Sequence, residues 1–194
     1  MKARNRIKPL LTLCCALLLV AAGVFGTLAY LTGTDTVNNT FTVGNVKITL
    51  DEAKVTTDGT PVEGADRVKA NEYHLLPGHT YTKDPTVTVK ANSEACWLFV
   101  KVTKSENLDT FITYAIAEGW TELQDGVYYR EVSASDADQT FPVLAGNAVT
   151  VNSDVTKEML TATDFANPTL TFKAYAVQKD NVASASDAWA KVNP

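Results

Sequence analysis

The chain has 194 residues, 17 basic and 22 acidic, with a formal net charge of −5, and 45% of its residues are apolar. That acidic balance excludes nucleic acid and anionic membrane surfaces as natural partners. Three cysteines, two of them adjacent at Cys14 and Cys15, exclude a disulfide-stapled scaffold.

Residues 1–8 carry Lys2, Arg4, Arg6 and Lys8 and no acid, and residues 9–25 carry no charge. Small Thr27 and Ala29 follow at the positions a signal peptidase reads. A basic start, an apolar run and a small-residue site describe a secretory signal over residues 1–29, cut between Ala29 and Tyr30. An uncleaved anchor is the alternative, because residues 9–31 approach the roughly 20 apolar residues that span a bilayer. Membrane contact is then expected only through the uncleaved leader. A lipoprotein signal fits poorly, since Leu13 stands before Cys14 where a small residue is wanted. Cleavage leaves residues 30–194 as one domain and removes four bases and no acid, taking the formal charge from −5 to −9. Only Cys96 then remains. It reads as a small buried hydrophobe in a strand, so no internal disulfide is expected and stability rests on packing.

Residues 30–40 place Tyr30, Leu31 and Val37 among Thr, Asn, Asp and Gly, with no proline to block pairing. This segment is free to lie on its own sheet, to stay unpaired, or to add to a neighbour's edge. Alternation then takes over. In "NVKITL", Val46, Ile48 and Leu50 share one face. In "DPTVTVKA", Val87 and Val89 oppose Thr86, Thr88 and Lys90. The run "CWLFVKVTK" is apolar on both faces at first, which predicts a central strand covered on both sides for half its length. Asp125-Gly126 separates two apolar runs and predicts a hairpin joining the segment around Trp120 to Val127–Val132. Pro142 in "FPVLAGNAVTVN" suits an edge or a strand start. "NPTLTFKAYAVQ" alternates Leu170, Phe172, Ala174 and Ala176 against Thr171, Lys173, Tyr175 and Val177.

Three short helical pieces are expected. One starts at Ser105 or Asn107, one is capped by Ser153 or Asp154 with Leu160 inward, and one near the C-terminus is capped by Ser184 or Ser186. The polar, glycine-bearing stretch of residues 55–74 is expected to be mobile. Short strands, polar connectors and no βαβ alternation predict an all-β fold, an antiparallel jelly-roll-like β-sandwich with short peripheral helices.

Catalytic patterns are absent from the sequence. His74 and His79 bracket a Pro77-Gly78 turn without an HExxH, and Cys96 has no CxxC partner. The acidic clusters in "DEAKVTTDG" and "SASDAD" lack calcium-loop spacing. No catalytic residue, cofactor or metal site is expected.

Three stretches are familiar together. "GTLAYLTGTDTVNNTFTVGNVKITLDEA", "LLPGHTYTKDPTVTVKANSEACWLFVKV" and "AYAVQKDNVASASDAWAKV" resemble the opening, the next block and the ending of the camelysin/TasA family of Gram-positive exported proteins, and together cover about half of the chain. The resemblance implies a SipW-type signal peptidase as a processing partner and a secreted location in the biofilm matrix. It implies fibres built by donor-strand exchange, with self-association or co-assembly with related matrix subunits. Tyr30, Leu31, Val37 and Phe41 are the residues assigned to the inserting strand. Two other readings remain open. One is a camelysin-like secreted metallopeptidase using His74, His79 and nearby acids. The other is a monomeric adhesin or carbohydrate-binding sandwich using Trp97, Trp120 and Trp189, although each tryptophan lies in an apolar run and reads first as core.

Overall fold

Nine consecutive strand residues form the spine of the fold, because the side chains of their first half have apolar cover on both faces. The structure is a computed structural model that describes residues 41–43 and 45–192. The leader, the cleavage pair Ala29 and Tyr30, and Leu31 and Val37 lie outside the described residues. The spine is β5 (Cys96–Lys104). It pairs antiparallel over its whole length with β11 (Leu170–Gln178) and on its other side with β8 (Val127–Val132). The edges of this five-stranded sheet are β1 (Phe41–Val43), parallel on β11, and β7 (Thr121–Gln124), antiparallel on β8. A second sheet has the order β2 (Ile48–Asp51), β4 (Thr86–Val89), β9 (Gln139–Pro142). A third has the order β3 (Thr80–Thr82), β10 (Ala148–Val151), β6 (Ile112–Thr113). Among the described residues, every strand pairing apart from β1–β11 is antiparallel. The fold is all-β, with short helices at its margins.

The alternation of β5 divides the interior in two. Cys96, Leu98, Val100 and Val102 join Ile48, Leu50, Val87, Val89, Val149 and Val151 in a core shared by all three sheets. Trp97 and Phe99 face the other way, onto helix α3 (Ala185–Val192), where they meet Ala188, Trp189 and Val192. The doubly apolar half of β5 is thus the half with cover on both faces, as its composition predicts. Pro142 lies in β9, the edge of its sheet, where a missing N–H costs no ladder bond.

The Asp125-Gly126 hairpin forms between β7 and β8. Gly126 has φ +68°, and a Cβ there would lie 2.7 Å from the Val102 carbonyl oxygen. The close approach is itself bonded, since the Val102 N–H donates to the Gly126 carbonyl at 2.7 Å. Gly126→Ala combines left-handed strain with a backbone clash. It is expected to cost about 2–3 kcal/mol, read as a lower urea midpoint at unchanged slope.

The helices are α1 (Leu108–Phe111), with Asn107 at its N-cap, α2 (Lys157–Thr161), and α3. In α2 the cap is Thr156, whose hydroxyl accepts the Met159 N–H at 3.4 Å, and not Ser153 or Asp154. The helix starts later because Val155 is first buried in the core. Ser184 caps α3, accepting the Asp187 N–H at 3.1 Å. The stretch 55–74 is fastened to the domain by specific bonds. Asn71 accepts the Val55 N–H at 3.0 Å and donates to the Ala53 carbonyl at 2.8 Å. Arg67 bonds the carboxylates of Asp51 and Asp84. Polar residues that read as a loose loop are the ones that tie it down. Among the described residues no helix is long and apolar enough to cross a membrane.

Cys96 is fully buried. Burial pushes its thiol up from its ordinary 9.0 to about 11. The folded chain therefore keeps the proton where the unfolded chain releases it, so stability falls as pH rises from about 9 to 11, by about 3 kcal/mol in total. The loss is measured as the difference in unfolding free energy between the natural chain and Cys96→Ala across that range. Equal slopes in the two proteins would contradict the assignment.

Candidate assembly edge and the groove beside it

Among the described residues, β1 covers only one end of β11. β11 is nine residues long and β1 is three. Their register sets Phe41 against Tyr175, Thr42 against Ala176 and Val43 against Val177. Residues 170–174 thus have β5 on one side and, among the described residues, no strand on the other. Phe41, the one assigned inserting residue within the described chain, stands in β1 at that edge.

A groove of about 560 Å³ runs beside this stretch. One lip is residues 167–171 and the other is residues 70–75, with Tyr81, Val149 and Val151 lining it between them. A smaller cavity of about 130 Å³ continues along β11 past Thr171 and Phe172, and reaches Glu52, Lys69 and Lys83.

The far lip is set by β3. The Tyr81 hydroxyl donates to the His74 carbonyl and accepts the Leu76 N–H, pinning residues 74–76. Gly59 packs on the Tyr81 ring, with φ +79° and its Cβ position 2.7 Å from Cδ1, so a larger residue would strain that turn and push the ring. Beneath the lip, the Lys83 ammonium meets the Glu52 carboxylate at 2.9 Å, with side-chain exposures of 11% and 6%. That ammonium also lies 5.4 Å from the centre of the Tyr73 ring and 5.8 Å from that of Phe172. Burial, then the nearby Glu52 and Asp84 charges, push the Tyr73 phenol well above its ordinary range. It stays protonated and donates to the Thr82 carbonyl at 3.1 Å.

The two histidines come together only loosely. His74 Nδ1 is 3.7 Å from an Asp58 carboxylate oxygen, with both side chains about 70% exposed. His79 Nε2 is 3.4 Å from the Asp58 carbonyl oxygen, and its ring meets Tyr81 edge-on. Among the described residues no group of three or more His, Cys, Asp or Glu side chains is placed to hold a metal ion. The tryptophans are dispersed. Trp97 and Trp189 are buried against each other's neighbours under α3, and half-buried Trp120 donates its indole N–H to the Pro142 carbonyl at 2.8 Å.

The sequence did carry a signal for the buried ion pair. The alternation that turns Val46, Ile48 and Leu50 inward puts Glu52 inward too, and an inward acid calls for a cation. No family model, curated protein or solved structure matches the chain.

Proposed function

We propose that this chain is an exported structural subunit of an extracellular, biofilm-type matrix, with a jelly-roll-like sandwich fold and no catalytic role. A signal peptidase frees Tyr30, and the N-terminal segment then joins subunits by strand addition, among copies of this chain or with related matrix subunits. The observation that carries this reading is the position of β1. β1, the strand that follows the N-terminal segment in sequence, stands at the edge of the five-stranded sheet of the described residues. Backbone at a sheet edge is a template that another strand can pair with. A head-to-tail contact of this kind grows filaments when its geometry does not close. The resemblance to the camelysin/TasA family supports the same reading through the leader and the blocks that follow it.

Removing residues 30–38 from the mature chain is the test. The full mature chain should form fibres in electron microscopy and sediment as a large assembly, while the shortened chain stays a folded monomer. Unchanged fibres from the shortened chain would sink the proposal. The approach of both histidines to Asp58 supports a second reading, a metal-dependent peptidase. Stoichiometric zinc in the purified protein, with casein hydrolysis abolished by a chelator, would favour it.

A further inference from the structure

We propose that Arg130 and the two aromatic rings that bracket it form a binding site for a single carboxylate group. Position 130 is an inward one. In β8 it stands opposite Leu98 of β5, on the face that turns Leu98, Val100 and Val132 into the shared core. A cation at such a position calls for an anion, as the inward Glu52 calls for Lys83. The chain answers the second demand and leaves the first open. Of the two arginines among the described residues, Arg67 holds the carboxylates of Asp51 and Asp84. Arg130 makes no ion pair or hydrogen bond with any described residue.

Its surroundings hold the guanidinium by its faces. The central carbon lies 4.2 Å from the centre of the Phe141 ring and 5.4 Å from that of the Trp120 ring. Phe141 belongs to β9 in the second sheet, and Trp120 immediately precedes β7 in the first. The Trp120 indole N–H joins the two through the Pro142 carbonyl at 2.8 Å, so the bracket is fixed by the fold itself. Cation–π contacts attract the guanidinium but bring no counter-charge and use none of its N–H donors. Nε is buried without a hydrogen bond, whereas Nη1 and Nη2, equally unbonded, are not buried. The fork is therefore the part that meets solvent. Gly119 shapes its approach. It has φ +84°, and a Cβ there would lie 3.1 Å from Nη2 and 3.4 Å from Nη1, so glycine leaves the fork uncovered. Burial alone lowers the Arg130 pKa from its ordinary value, with no acid offsetting it.

The chemistry of the fork selects the ligand. Two parallel N–H donors match the two oxygens of a carboxylate. One cation stands at this site, and one carboxylate closes it at zero net charge. A phosphate dianion would leave a negative charge on a chain that is already acidic. Two sources present the same two oxygens: a small organic acid, and an acidic side chain of another polypeptide.

Nuclear magnetic resonance tests the site, because the mature chain holds two arginines and so two side-chain Nε–H signals. Arg130→Lys removes one of them and thereby assigns it. Titration with acetate at pH 7 and constant ionic strength should move the Arg130 signal to a plateau and leave the Arg67 signal in place. A shift that grows linearly with acetate, or that chloride reproduces, overturns the site. Tighter binding of inorganic phosphate than of acetate overturns the carboxylate assignment. A Gly-Glu-Gly peptide blocked at both ends forms the second arm. An affinity about tenfold or more above that of acetate assigns the site to a protein carboxylate, and a smaller gain assigns it to a free acid. Thermal unfolding gives an independent reading, since a ligand that binds only the folded chain raises its midpoint. Acetate should raise the midpoint of the natural chain relative to chloride, and the rise should vanish in Arg130→Met. Arg130→Lys keeps the charge and loses the fork, so it should need about tenfold more acetate for the same rise. An undiminished rise in Arg130→Lys overturns the proposal, and that variant decides alone if Arg130→Met does not fold.

Discussion

Replacing Lys83 with methionine is expected to destabilise the fold by about 3–5 kcal/mol, because it strands the Glu52 carboxylate inside the protein. Methionine keeps the length of the lysine stem and its contacts with Tyr73 and Phe172, so little of the loss comes from packing. Glu52→Leu should cost a similar amount for the mirror reason, a buried ammonium left without its partner. The double variant decides the cause. Two apolar side chains of matching volume remove both desolvation terms, and their combination should lie within about 1 kcal/mol of the natural chain. If the single losses simply add in urea unfolding, the pair is not coupled and its burial is incidental. The pair also bears on the groove. It joins the end of β2 to the chain just after β3, under the lip of residues 70–75, so the single variants should loosen that lip before the rest of the domain.

The readable part of this fold was the part with local causes. Strand alternation fixed which faces of β4, β5 and β11 are buried, and the Asp-Gly pair fixed the β7–β8 hairpin, because side-chain period and turn chemistry act within a few residues. Cys96 took its expected place because a lone thiol among Trp, Leu and Phe has no better environment. The missed features have distant causes. Residues 55–74 are polar and look loose, yet Asn71 and Arg67 bond groups 16 to 18 residues away. No short window contains both ends of those bonds. The division of the strands into one five-stranded and two three-stranded sheets is likewise set by which strands meet, and periodicity is silent on partners. The groove has the same kind of cause: its lips come from residues 70–75 and 167–171, nearly one hundred positions apart.

Trp189→Ala should cost about 3–5 kcal/mol, comparable with the broken ion pair but by a different route. The indole is 5% exposed and sits 5.3 Å from the Phe99 ring and 5.2 Å from the Tyr175 ring, so it is the main contact between α3 and the outer face of the central sheet. Helix α3 is only eight residues long, too short to persist on propensity alone. Removing its anchor should therefore release the helix and expose Trp97, Phe99 and Val177 as one apolar patch. Trp189→Phe separates packing from hydrogen bonding. The indole N–H is buried and makes no hydrogen bond among the described residues. Phenylalanine keeps most of the ring contact and removes that unsatisfied donor, so its cost should stay below about 1.5 kcal/mol. Thermal unfolding of the two variants, with dye binding to exposed apolar surface, gives the comparison. A phenylalanine variant as unstable as the alanine variant would mean that the N–H has a partner and that the helix is held by that bond. A dye signal from the alanine variant alone, below its unfolding temperature, would mean that the helix is held by the ring contact.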